Sequence, residues 1–395
     1  MDRPLPATVD VAVIGLGGLG SAAAYWLARR GASVLGLEQF ELGHVRGASH
    51  DHSRIIRRSY HTPAYVQLAA QAYTAWRDVE NDDGSEIVTI TGGIDLFPPG
   101  AAIDHRSYTS SLEAAGVAHE WIDGAEVRRR WPAFANGTAV GDDVMAIHSP
   151  DTGIVPAARG TATLQRLAVT HGAALHAHTR VLGLRPVGGE VDVITDRGTV
   201  RCGHVVVAAD AWTNRLLEPL GLGIPLVVTR EQVSYFARPD LDRFAIGSFP
   251  VWIWMDDPSY YGFPVYGDLG AIKASEDVGG AEVDPDTRTF DPDPAMERRL
   301  AEFLRRLVGD GCDPPRSTTC LYTLTSDRDF VCDRLPDLPQ ISVALGAAHG
   351  FKFASWFGRS LAGLACGEPV GAELEPFGFT RPSLTVPVSR DAWMV

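Results

Sequence analysis

Val9-Asp10-Val11-Ala12-Val13-Ile14 runs directly into Gly15-Leu16-Gly17-Gly18-Leu19-Gly20, and then into Ser21-Ala22-Ala23-Ala24-Tyr25-Trp26-Leu27-Ala28-Arg29-Arg30. The first six residues are a β-branched, apolar run, the pattern of a strand buried on both faces. The alanine-rich stretch after the glycines is a good helix former. A second apolar strand, Ser33-Val34-Leu35-Gly36-Leu37, ends at Glu38. Strand, GxGxxG turn, helix, strand and terminal acid, in that order, form the unit that holds a dinucleotide. Gly15 permits the tight turn, Gly17 lets the backbone approach a pyrophosphate, and Gly20 lets helix and strand pack closely. The helix N-terminus faces the phosphates, and Glu38 is placed to accept hydrogen bonds from the adenosine ribose. An acid at that position disfavours the 2′-phosphate of NADP. NAD and FAD stay open.

The composition sets outer bounds. A chain of 395 residues, 45% hydrophobic and 21% charged, has the make-up of a globular protein of two or three domain-sized units. Its net charge of −14 argues against nucleic acid or an anionic membrane as partner. No apolar run approaches the roughly 18 residues of a membrane span. The start, Met-Asp-Arg-Pro-Leu-Pro, shows no positive-then-apolar leader, and the five scattered cysteines form no metal-spaced cluster. The expectation is a reduced, cytoplasmic protein without a metal. Of the 35 basic residues only two are lysine, Lys273 and Lys352. Where arginine serves nearly every cationic position, the two exceptions mark sites where a compact ammonium is wanted.

Beyond Glu38 comes Gly47-Ala48-Ser49-His50-Asp51-His52-Ser53-Arg54-Ile55-Ile56-Arg57-Arg58, which suits a cofactor-facing loop and helix start. A helix is expected from Asp151–Pro156 to about His171, then strands near 174–181 and 191–195. The strand Val205–Ala209 ends in small residues that let the backbone lie against a nucleotide. From about 226 to 320 the pattern becomes alternating and aromatic, with a helix near 294–308, which reads as an antiparallel sheet. Strand–Gly turn–helix grammar returns at Ile341–Gly346, His349-Gly350-Phe351-Lys352 and Ser355–Ala365. The fold class is therefore α/β with two domains. Residues 1–85, 150–225 and 320–395 are expected to build a Rossmann-like nucleotide domain from discontinuous segments, and 86–149 and 226–319 an antiparallel substrate domain. Interleaving of that kind favours FAD over NAD.

Taken together, Gly15–Gly20 with Glu38, Ser53-Arg54-Ile55-Ile56-Arg57, Tyr260-Tyr261-Gly262-Phe263-Pro264 before Ile272-Lys273, Cys320-Leu321-Tyr322-Thr323 and His349-Gly350-Phe351-Lys352-Phe353 resemble the monomeric sarcosine oxidase and N-methyltryptophan oxidase family of FAD amine oxidases. The resemblance runs over almost the whole chain. It implies a thioether from Cys320 to the flavin 8α-carbon, Lys273 on the oxygen-reacting face, and a substrate carboxylate held by Arg57 and Lys352. Residues matching His50, Arg54, Tyr261 and Tyr322 line the flavin or substrate pocket, and Ser53, Val181, His349, Gly350 and Phe351 complete the cofactor contacts. The implied chemistry is hydride transfer from the carbon next to nitrogen, then reoxidation by O2 to give hydrogen peroxide, in a monomer.

Three positions depart from the family. Asp277 stands where sarcosine oxidases have a histidine, Trp252 where the sarcosine pocket has a methionine, and Ala348 where a glycine precedes His349. Asp277 resembles the branch that oxidises cyclic imino acids such as piperideine-2-carboxylate. With Trp252 and Trp254 expected on one pocket face, these changes point to a substrate bulkier than sarcosine, with Asp277 accepting from its amine. The alternatives are sarcosine or N-methyl amino acid demethylation, a flavin dehydrogenase with another electron acceptor, and a flavoprotein scaffold without turnover.

Overall fold

The computed structural model describes residues 4–312 and 315–389. Met1–Arg3 and the last residues of the expected nucleotide domain lie outside them. The strand Thr8–Ile14 enters an eight-stranded sheet, parallel to Val34–Leu37 on one side and Gly198–Val207 on the other. Ala174–His176 and Leu338–Leu345 extend the parallel part at its two edges. Residues far apart in sequence thus share one sheet, as the interleaved pattern requires. Its central residues Ala12, Val13, Val205 and Val206 are among those with no exposed surface.

The helix Gly18–Arg29 lies across this sheet. Gly20 is where helix and turn meet: a Cβ there would stand 1.8 Å from the Gly15 carbonyl oxygen. Gly15 itself has φ +88°, a conformation glycine adopts without penalty. On the helix's far side, Gly358 of the Ala354–Ala365 helix packs so closely on Ala22 that a Cβ would come within 2.4 Å of its backbone carbon.

A second sheet of nine strands takes its strands from 93–149, 227–282 and 316–324. It is mixed where an antiparallel sheet was expected, because Val251–Trp254 runs parallel to Gly93–Phe97. Cys320 sits on Arg316–Leu324, which pairs with Val227–Phe236. That strand belongs to the second sheet, whereas 320 was expected to open a nucleotide-domain segment. The helix Pro294–Val308 covers one face of this sheet. Asp293 caps it, its side chain accepting from Ala295 N, Pro294 sets its first turn, and Gly309 at φ +81° ends it. Its Met296, Leu300, Phe303, Leu304 and Leu307 turn inward.

Two local expectations differ. The run expected as one strand over 174–181 is broken by His178 at φ +50°, which separates Ala174–His176 from Val181–Val187. The helix start expected in 47–58 is instead a short strand, Arg54–Ile56, paired antiparallel with Gly153–Val155. The β-branched Ile55 and Ile56 suit that pleated conformation.

Candidate active site

Two cavity lobes meet at the glycine turn and share five lining residues, Gly17, Ala48, Ser49, Ala208 and Asp210. They form one elongated hollow. The first lobe is bounded by Gly15, Gly17, Glu38, Val181 and Trp212. Gly17 at the helix N-cap has no side chain to offer the first N–H groups of Gly18–Arg29, and the Ser49 hydroxyl accepts that of Gly18 at 2.8 Å. Glu38 closes the outer end. One of its oxygens accepts from Leu16 N at 2.9 Å and the other from Phe40 N at 3.1 Å, which ties the end of the second strand to the turn.

The second lobe is lined by Arg54, Arg57, Tyr261, Asp277, Cys320, Tyr322 and the segment His349–Lys352. Arg54 donates to the carbonyls of Ala48, His50 and Ser53 at 2.9–3.0 Å, holding the loop in shape. Arg57 is buried against Asp95 at 3.4 Å, with its guanidinium carbon 4.9 Å from the Tyr60 ring centre. The Lys352 ammonium stands 5.7 Å from the same ring. Burial, with Arg57 adding to it and Asp277 opposing, pushes Lys352 down to about 7. Tyr322 donates to an Asp277 oxygen at 3.3 Å. Cys320 is 5% exposed, and burial pushes its thiol up to about 11, against the pull of Arg54.

The remaining expected residues lie elsewhere. Gly20 serves packing and does not line the hollow. Lys273, Ser53 and His50 stand behind the wall of the second lobe: the Lys273 ammonium is 4.8 Å from the ring centre of Phe263, which does line it. It donates to Asp51 at 2.6 Å, to the Ser53 carbonyl at 2.8 Å and to the Ser53 hydroxyl at 3.2 Å. His50 is 6% exposed, and burial with Arg54 pushes it down to about 4. Trp252 is a correction. It is 1% exposed on the opposite face of its strand, with Trp254, both rings packed around Phe303 of the covering helix. Ile253 between them reaches the cavity.

Polar groups in the hollow that lack a hydrogen-bond partner among the described residues include the buried Thr161 hydroxyl in the first lobe and His349 Nδ1 in the second. Unpaired buried groups of this kind are costly unless a ligand meets them. Ser49 and Thr161 carried no motif of their own in the sequence. Among the described residues no group of His, Cys, Asp or Glu could hold a metal ion, and no helix is long and apolar enough to cross a membrane. A long hollow with a phosphate-type helix end at its waist, an acid at one end and a second chamber at the other fits an extended dinucleotide.

Residues 10–364 match the family model described as "FAD dependent oxidoreductase". The chain belongs to that family. It is 36% identical over 391 residues to the monomeric sarcosine oxidase of Streptomyces avermitilis, covering 95% of this chain and 97% of the relative. It is 27% identical to the N-methyl-L-tryptophan oxidase of Yersinia pestis, covering 94% and 99%. Among solved structures it is similar to NikD, described as an unusual amino acid oxidase essential for nikkomycin biosynthesis, at 28% identity and a TM-score of 0.83, covering 94% and 98%. Within an FAD-dependent oxidoreductase, the lobe bounded by Glu38 and Val181 suits the adenosine end. The lobe holding Cys320 suits the flavin.

Proposed function

We propose that this flavoenzyme is an oxidase of a secondary amino acid or cyclic imino acid carrying a carboxylate. The observation that carries this reading is the pair of cations, Arg57 and Lys352, set around one buried ring, Tyr60, in the lobe that also holds Cys320. A planar fork and a point charge side by side are the arrangement expected for a small carboxylate in a partly dry site. Asp95 already balances Arg57, so the anion would complete the charge of Lys352. Asp277, held by Tyr322, provides an acceptor for the substrate N–H and favours a secondary or cyclic amine over a tertiary one. NikD's description as an amino acid oxidase agrees with a substrate that carries a carboxylate. Trp252 and Trp254, being core residues, no longer contribute to it.

When bound, FAD would supply the acceptor for a hydride from the carbon next to nitrogen, and reoxidation by O2 with two protons would give hydrogen peroxide. The chain's own residues do the rest. Arg57 and Lys352 fix the carboxylate end, and Asp277 and Tyr322 orient the nitrogen. Cys320 anchors the cofactor as a thioether, and Lys273 provides positive charge for the oxygen step. A preorganised charge acts strongly where water is excluded. The test is anaerobic bleaching of the flavin by sarcosine, L-proline, L-pipecolate, piperideine-2-carboxylate and N-methyltryptophan, each beside its ester. Bleaching fastest with a cyclic acid and slow with every ester is expected. Fastest bleaching by sarcosine would move the assignment to demethylation, and equal rates for acid and ester would remove the carboxylate clamp.

A further inference from the structure

Lys273 is one of two lysines in the chain, and its side chain is buried. The side chain is 3% exposed, and its hydrogen bonds go to Ser53 and to one carboxylate, that of Asp51. Asp51 is itself 7% exposed. Its Oδ1 accepts from the Tyr235 hydroxyl, and its Oδ2 accepts from Arg54 Nη1 at 3.3 Å as well as from Lys273. The backbone at Asp51 has φ +79°, which a side-chain-bearing residue adopts only at a cost. Its carbonyl accepts from Ala158 N at 2.9 Å, in the first turn of the Ala157–Thr170 helix. Backbone and side chain are therefore both fixed, in a strained conformation that places an acid against the lysine.

We propose that Asp51 is the positioning residue for Lys273: the counter-ion that keeps this buried amine charged and aimed at its station behind the flavin lobe. The proposal rests on the reading of Lys273 as the cation for the oxygen step. A lone ammonium removed from water loses its proton readily, and an opposite charge at hydrogen-bonding distance reverses that tendency. The other ionisable groups around the amine cannot replace Asp51. Arg54 repels it, and the Tyr235 and Cys320 side chains are ordinarily neutral. His52 and Arg316 stand further out, lining a solvent-open hollow that Asp51 and Tyr235 also border. The balance agrees with this picture. Burial pulls Lys273 down to about 8, Asp51 is the largest influence in the opposite direction, and Arg54 adds to the downward pull. Asp51 is held well below the usual carboxylate range, burial notwithstanding, by Lys273 and Arg54.

The test uses the holoenzyme with Asp51→Asn, which keeps the shape and can still meet Tyr235, beside Lys273→Met. Flavin reoxidation by oxygen is followed by stopped flow across pH, and the visible spectrum of the resting oxidised enzyme is titrated in parallel. In the unaltered enzyme, the oxygen rate and the spectrum should both change as pH rises through about 8, where the amine loses its proton. In Asp51→Asn both transitions should move down by a pH unit or more. At neutral pH the oxygen rate should then fall about twofold for a shift of one unit and about tenfold for a shift of two, following the protonated fraction, and recover on acidification. Lys273→Met should lack both transitions. If the Asp51→Asn transitions coincide with those of the unaltered enzyme, the counter-ion role is overturned. If Lys273→Met reoxidises at the normal rate, the oxygen role of Lys273 fails, while the spectral titration still decides whether Asp51 sets its charge. Should Asp51→Asn not retain flavin, Asp51→Gly replaces it, because glycine accepts φ +79° without strain.

Discussion

At Cys320 the chemistry depends on what lies next to one sulfur. The thiol is buried, lines the flavin lobe and has Arg54 as its strongest charge partner. Cys320→Ala should leave the flavin in the supernatant after acid precipitation, while the unaltered protein keeps it in the pellet. Flavin in the supernatant of the unaltered protein would refute a thioether. Lys352 is the second residue-scale case. The cation is the form that holds a carboxylate, and it is present below about 7 and lost as pH rises through that value. Affinity for simple carboxylate inhibitors, read from flavin absorbance, should therefore fall above neutrality by up to about tenfold per pH unit. In Lys352→Met it should be weak and flat. Ala348 has φ +75°, the left-handed region in which a Cβ is crowded. Its replacement of the family's glycine thus has a conformational price, and Ala348→Gly should raise the unfolding free energy by about 0.5–1 kcal/mol in denaturant titrations.

Elements decide which face a residue shows, and here the aromatic strand Val251–Trp254 is instructive. Trp252 and Trp254 point at the helix Pro294–Val308, while Ile253 between them reaches the flavin lobe. Trp252→Phe should lower stability by about 1–3 kcal/mol, as core truncations do, and leave KM for the best substrate unchanged. Ile253→Ala should shift KM as well as lower stability, by about 2–5 kcal/mol. A changed KM in Trp252→Phe alone would put the indole back in the pocket. Alternation was legible in the sequence, but its parity was not, since a strand offset by one residue turns every side chain over. What could be read directly was local: the Gly15–Gly20 turn and its flanking strands and helix carry their own geometry. What could not be read was long-range pairing. Asp51 and Lys273 are 222 residues apart, and nothing near either names the other. The strand holding Cys320 was placed in the wrong unit for the same reason, because its partner, Val227–Phe236, lies nearly a hundred residues earlier.

For the whole molecule, the hollow lies between two sheets that also share a buried cluster, in which Val13 and Val206 of the eight-stranded sheet join Ile147 and Ile253 of the nine-stranded one. The glycine turn and Glu38 belong to the eight-stranded sheet, while Cys320, Tyr261 and Asp277 come from strands of the nine-stranded sheet or the turn after one of them. A cofactor whose phosphates rest on one and whose flavin is bonded to the other would tie the two together, and its binding energy would add to their docking. Anything that binds only the folded chain stabilises it by mass action, about 2.7 kcal/mol at a hundred times its Kd. A thioether at Cys320 would remove that concentration dependence, because the ligand could no longer leave. The melting temperature of Cys320→Ala should therefore climb with added FAD, and that of the unaltered holoenzyme should not respond. The FAD-free Cys320→Ala protein should melt in one transition below that of the holoenzyme, because the shared cluster couples the two sheets while the ligand's contribution is lost. A single sharp transition at the holoenzyme temperature, without FAD, would show that the sheets hold each other unaided and that the cofactor is cargo, not mortar.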